Sequence, residues 1–187
     1  MSMTYSDPTT LRALIDRLAR LASADDWKSG LNPAQVAVLS YLARANRFSR
    51  APSHAAAFLG TTRGTVSQTF KSLLGKGLVQ EYRSASDRRR ISFDLSEAGR
   101  GALMRLATFD EALLAIDNAD RTALEQGISA LLRALVAARG GRPFGICHTC
   151  RYHAVTNEGR QCRLLNVALK PAEADQICHE YSAKDAA

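Results

Sequence analysis

The chain has 187 residues, of which 46% are hydrophobic and 23% charged, with a net charge of +7 and four cysteines. That size allows one or two domains with a sizeable core, and the composition excludes disorder over most of the length. No apolar run approaches the 18 or so residues of a membrane span, and MSMTYSDPTT lacks a basic stretch leading into an apolar one, so a reducing cytoplasm is the expected compartment. There, cysteines are expected as metal ligands or redox groups rather than disulfides. Residues 44–100 hold 11 Lys and Arg against 4 Asp and Glu, an excess equal to the whole net charge. A basic face confined to one segment is the footprint of a polyanion binder, or else of a solvated basic surface.

In chain order, residues 9–24 predict an amphipathic helix, because Leu11, Leu14, Ile15, Leu18, Leu21 and Ala22 recur on one face. Asn32-Pro33 opens a second helix, with Asn32 as N-cap and Val36, Leu39, Leu42 and Ala43 as its stripe. A short third helix starts at Ser53-His54 and ends at Gly60. Thr61-Thr62 caps a fourth, with Val66, Phe70, Leu73 and Leu74 inward and Ser67, Gln68 and Lys71 outward, stopped by Gly75-Lys76-Gly77. Residues 78–83 predict a strand, and the alternation of Ile91, Phe93 and Leu95 a second, joined by an arginine-rich loop at 84–90. Ser96-Glu97 caps a long helix to about Asn118, and Asp120 caps another with the stripe Leu124, Ile128, Leu131, Leu132 and Leu135. Residues 139–143 read as a linker.

The expected fold class is mainly α with a small β-hairpin: a winged helix-turn-helix with a helical dimerisation region, followed by a small metal-bound module. A helix that reads DNA must be held from behind and carry side chains that reach base edges. Arg63 is long enough for a bidentate contact to guanine, and Gln68 can pair with adenine. Ser67 and Lys71 suit bases or phosphate, Thr61 and Thr62 lie where helix N-terminal amides meet a phosphate, and Thr65 is a further candidate DNA contact. Arg88, Arg89 and Arg90 at a hairpin tip suit a narrow minor groove, with Asp87 orienting an arginine and shaping the turn.

The run GTTRGTVSQTFKSLLGKGLVQEYRSASDRRRISFDLSEAGR resembles the core of the MarR family of bacterial transcriptional regulators. The resemblance rests on Thr-x-x-Thr-Val-Ser, Leu-x-x-x-Gly-Leu-Val, Asp-x-Arg and Leu-Ser-x-x-Gly, and extends over roughly residues 9–139. It implies a homodimer on a pseudo-palindromic double-stranded operator, usually a repressor released by a small molecule or by oxidation. It places the recognition helix at about 62–74, the wing at 84–90, and the dimerisation helices at 9–24 and after Ser96. The stripes at 9–24, 102–118 and 122–137 also exceed what one small winged-helix core can cover, and so suit either a joint core between two chains or an intrachain bundle. Residues 1–146 hold no cysteine, so the family's redox mechanism through N-terminal cysteines does not carry over.

Residues 1–139 are thus expected to form the DNA-binding and dimerisation domain and 140–187 a linker and four-cysteine module. Cys147, Cys150, Cys162 and Cys178 are spaced C-x2-C-x11-C-x15-C. A C-x2-C turn presents two sulfurs to one metal, and two further cysteines complete tetrahedral coordination. A turn at 156–159 would fold Cys162 back, and a helix after Pro171 would deliver Cys178. Ile146, Leu164, Leu165 and Ile177 are candidates for an apolar shell, and His148, His153 and His179 for substitute or second donors. An iron–sulfur cluster, which suits singly placed outlying cysteines, and a zinc ion both fit the spacing. Two disulfides, a redox-active Cys147–Cys150 pair and free thiols are the alternatives.

No G-x-x-x-x-G-K-S/T, G-x-S-x-G or H-E-x-x-H motif is present, so a regulator is expected rather than an enzyme. The expected function is a DNA-binding regulator whose affinity is modulated by the cysteine site, the module packing on the final helix to fix the spacing of two reading heads. The alternatives are a regulator with a structural zinc site and a small-molecule effector, and a metal-dependent enzyme or electron carrier.

Overall fold

The structure, a computed structural model, describes residues 7–28, 30–83, 91–104, 108–141 and 143–184. Helix α1 (Pro8–Lys28) is started by Asp7, whose carboxylate accepts from the Thr9 and Thr10 amides. Helix α2 (Pro33–Arg44) begins as its sequence predicts. The Asn32 side chain accepts from Gln35 N, the Gln35 side chain accepts from Asn32 N, and Pro33 occupies the first turn. A 3-10 turn, Arg47–Ser49, leads to α3 (Pro52–Leu59), which Gly60 ends in the left-handed region at φ 63°. Helix α4 (Arg63–Gly75) has Thr62 as its N-cap. Strands β1 (Val79–Arg83) and β2 (Ile91–Leu95) pair antiparallel with Val79 opposite Leu95.

Helices α5 (Glu97–Met104) and α6 (Thr108–Ala115) occupy the stretch expected as one helix, with 105–107 outside the described residues. Helix α7 (Asn118–Ala138) is capped by Asp117, not Asp120. The Asp117 carboxylate accepts from the Asp120 amide at 2.8 Å, and Asp120 lies in the first turn, where its charge favours the helix N-terminus.

The core is built from Leu31, Val38, Leu39, Tyr41, Leu42, Ala55, Val66, Phe70, Leu73, Val79, Phe93 and Leu95. It sits between α2, α3, α4 and the hairpin, with Phe70 and Phe93 stacked at 4.1 Å between ring centroids. The Leu-Ser-x-x-Gly motif has a packing reason. Ser96 Oγ donates to Gly77 O and accepts from Gly99 N, pressing the start of α5 onto residues 77–78. A Cβ at Gly99 would lie 2.1 Å from the Leu78 carbonyl oxygen, and both partners there are backbone. Gly99→Ala is therefore expected to lower stability by about 3 kcal/mol, read as a fall in the denaturant midpoint.

After Gly140 (φ 61°) the chain builds small β elements. Strand β3 (Gly145–Ile146) pairs with β7 (Ile177–Cys178), and β4 (His153–Thr156), β5 (Gly159–Cys162) and β6 (Val167–Leu169) form a three-stranded antiparallel sheet. The turn at 156–159 does fold Cys162 back, opposite His153, with Gly159 at φ 120°. The helix expected after Pro171 is instead a five-residue 3-10 turn, Pro171–Asp175, and Cys178 arrives on β7. Pairing of Ile177 and Cys178 with Ile146 and Gly145 stops the helix before a second turn can form.

Candidate nucleic-acid interface and cysteine cluster

Helix α4 is held from behind by Val66, Phe70 and Leu73, each at most 1% exposed. Its C-terminal half is tied to α2 through Gln35, which is 4% exposed. Gln35 Nε2 donates to Ser72 Oγ at 2.9 Å, and Lys76 Nζ donates to Gln35 Oε1 and to Gly30 O. Thr61, Thr62, Arg63, Thr65, Ser67, Gln68 and Lys71 are all exposed. Gly64, Gln68 and Lys71 follow one ridge at i, i+4 and i+7. Thr62 and Thr65 are committed to the cap: Thr62 Oγ1 accepts from Thr65 N and lies 2.8 Å from Thr65 Oγ1. No side-chain bond within the described residues holds Arg63, Ser67, Gln68 or Lys71, so all four are free to meet a ligand. A helix face with two cations, no carboxylate and adaptable polar groups suits a nucleic-acid groove. Asp87, Arg88, Arg89 and Arg90 lie outside the described residues. Their hairpin is anchored by Arg50, which ion-pairs with Asp94 at 2.7 Å and donates to Ala45 O.

Cys147, Cys150, Cys162 and Cys178 are all buried free thiols, 5–8% exposed. Cys150 N donates to Cys147 O at the start of the C-x2-C turn, and Cys147 N donates to Gln176 O next to β7. Ser182 N points at Cys150 Sγ at 3.5 Å. Burial pushes the Cys147 thiol up to about 12, with Cys178, Cys162, Cys150 and Glu173 adding to it. Burial also raises Cys178, against a hydrogen bond from the Asn46 side chain. Burial thus disfavours the thiolate forms of Cys147 and Cys178, which a nearby cation would offset. Among the described residues, no three His, Cys, Asp or Glu side chains are gathered as they stand into a group that could hold a metal ion.

Leu165 packs on the cluster together with Phe48, Tyr152, Val167 and Leu169. The other three residues expected as its shell do not. Ile146 and Ile177 join the main core, and Leu164 is 45% exposed. His148 Nδ1 lies 3.0 Å from Ala174 O and 3.2 Å from Asp175, His153 is opposite Cys162, and His179 stacks on His54 at 3.5 Å.

Residues 29–90 match the model of the MarR family. This segment is similar to the MarR family. The fold extends further. S. aureus MepR in its DNA complex is 19% identical, covering 70% of this chain and 98% of that one, with a TM-score of 0.56. The MarR family transcription regulator SP03579 is 18% identical, covering 69% and 87%, also at 0.56. The transcriptional repressor CouR, bound to a 23-mer DNA duplex, is 28% identical, covering 66% and 89%, at 0.55. No curated protein sequence matches the chain. Among the described residues no helix is long and apolar enough to cross a membrane.

The cysteine module is seated on the α2–α3 connection of the MarR-like segment, not on α7 as the position of the linker suggests. Ala45 and Ile177 form a parallel bridge, and Asn46 N donates to Ile177 O at 3.0 Å. Arg47 donates to Ala168 O and ion-pairs with the buried Glu173. Phe144 meets Phe58 edge-on. Sequence reasoning missed Asn46, Arg47 and Ser49 as contact residues, because nothing local marks a surface that receives a segment 120 residues later.

Proposed function

We propose that the chain is a DNA-binding transcriptional regulator rather than an enzyme, acting as a homodimer on a pseudo-palindromic operator. The observation that carries this reading is the exposed α4 face of Arg63, Gly64, Ser67, Gln68 and Lys71, backed by a rigid apolar stripe. It occurs on a fold similar to that of CouR, which was solved on a DNA duplex. Arg63 and Gln68 read bases, Thr61, Ser67 and Lys71 meet phosphate or base edges, Thr62 and Thr65 cap the helix start that faces the phosphate, and Asp87 with Arg88–Arg90 serves the wing. The uncovered stripes of α1 and α7 support the dimer: Leu14 is 59% exposed, Leu131 43%, and α7 has no buried residue. A second copy removes that apolar surface from water.

In this reading Cys147, Cys150, Cys162 and Cys178 are the residues that would hold an iron–sulfur cluster or a zinc ion. The group supplies a cationic centre that ties β3, β5, β7 and the C-x2-C turn together. Its state, or a small-molecule or redox effector acting with it, sets operator affinity. The support is that four buried thiols from distant places in the sequence share one small module.

The test is enrichment of bound duplexes from a random pool by the purified protein. The reading predicts an inverted repeat, and failure to enrich any motif at low salt contradicts it. On the enriched duplex, Arg63→Ala is expected to lose about 1–3 kcal/mol and to relax preference at one base pair per half-site. Anaerobic purification separates the two cofactors: brown protein with iron and acid-labile sulfide marks a cluster, and colourless protein with one zinc per chain marks zinc.

A further inference from the structure

Arg139 closes α7, yet its guanidinium reaches the helix-turn-helix. Its backbone amide donates to Leu135 O and Val136 O, and Gly140, at φ 61°, turns the chain away. The side chain lies beside the turn between α3 and α4: a Cβ built on Gly60 would be 3.9 Å from Arg139 Nη1. The chain that follows is tied to α3 and to the approach to it. Phe144 meets Phe58 edge-on, and Ser49 Oγ accepts from His179 N at 2.9 Å. The carbonyls at the end of α3 are already used, Ala57 O by Gly60 N and Ala56 O by Thr61 N. No side-chain bond or ion pair within the described residues holds the exposed Arg139. Residues 27–80, which include α2, α3 and α4, contain no Asp or Glu. A further cation at the edge of a face that already carries Arg63 and Lys71, with no carboxylate among those residues, is electrostatically unfavourable until an anion arrives.

We propose that Arg139 is a further DNA contact, a phosphodiester clamp that α7 supplies to the edge of the α4 reading face. The proposal rests on the DNA-binding reading above and adds a contact from outside the helix-turn-helix and the wing. In a helix-turn-helix the second helix enters the major groove while the first crosses the sugar-phosphate backbone, so the turn that joins them runs along the edge of the groove. Gly60, with no side chain, leaves that turn open to the guanidinium. An arginine there meets phosphate oxygens with parallel N–H donors, which adds affinity without reading sequence. Because Arg139 belongs to the last turn of α7, the same contact ties the end of that helix to the duplex.

The experiment is titration of the full chain on its enriched duplex over a series of salt concentrations. Arg139→Gln is expected to bind more weakly with the same preferred sequence, and the slope of log affinity against log salt should flatten by about 0.9 for each bound chain. Arg139→Lys keeps the charge and should keep the wild-type slope. Arg133→Gln removes the same charge earlier in α7 and should also leave the slope unchanged. A purely structural role for Arg139 would lower the thermal midpoint of the free protein without changing the number of counterions released. A wild-type slope in Arg139→Gln, or a flattening that Arg139→Lys or Arg133→Gln reproduces in full, overturns the Arg139 contact alone. A wild-type chain that enriches no duplex overturns it together with the DNA-binding reading.

Discussion

Leu14→Glu combined with Leu131→Glu is expected to convert the protein to a monomer and to weaken operator binding by about 10³-fold. Leu14 and Leu131 sit in the middle of the two stripes, and neither packs into the core of its own chain. A carboxylate on each costs little in the free chain, where both positions are already solvated. In a joint core the same carboxylates would be buried without partners, and the dimer carries that cost. With the dimer lost, two half-sites no longer bind as one, so the affinity gained from linking them disappears. Sedimentation gives the oligomeric state, and titration on the enriched duplex gives the affinity. Dimers that persist with both charges in place would show that the interface lies elsewhere.

Cys147→Ala with Cys150→Ala is expected to abolish metal uptake and to make residues 145–184 sensitive to protease while 30–83 stay protected. The module buries few large apolar groups of its own: Cys147, Cys162 and Leu169, with Phe48, Tyr152, Leu165 and Val167 packed against them. A body that small gains most of its stability from cross-linking, which in the proposed reading would come from a group held by the four sulfurs. Limited proteolysis with mass spectrometry reads the outcome directly. A module equally resistant in the double variant would mean that its β pairing and its seat on the α2–α3 connection suffice to fold it.

The winged helix was legible because its signals are local. Asn32-Pro33 states a capped start, Thr62 with the 66-70-73 stripe states a helix with one buried face, and Ile91-Phe93-Leu95 states a half-buried strand. Residues Arg63, Ser67, Gln68 and Lys71 followed once that buried face was known. The tail was legible in its cysteines and its 156–159 turn, but not in its architecture. Pro171-Ala-Glu-Ala-Asp has helix-forming composition, yet it closes as a 3-10 turn because Ile177 and Cys178 pair with residues more than 30 positions earlier. The cap at Asp117 was misplaced by three residues because Asp120 satisfies the same charge rule one turn in. The seat of the tail on Asn46 and Ser49 is non-local on both sides, and no periodicity records it.

The most direct test is an equilibrium titration of the wild-type protein on its enriched duplex, metal-loaded against chelator-stripped, at one salt concentration. If the cysteine module braces the reading head, the two affinities differ by about tenfold or more, equivalent to a bias of about 1.4 kcal/mol between two reading-head geometries. Equal affinities with the dimer intact and the metal verifiably removed would contradict the account and leave the module as scaffold.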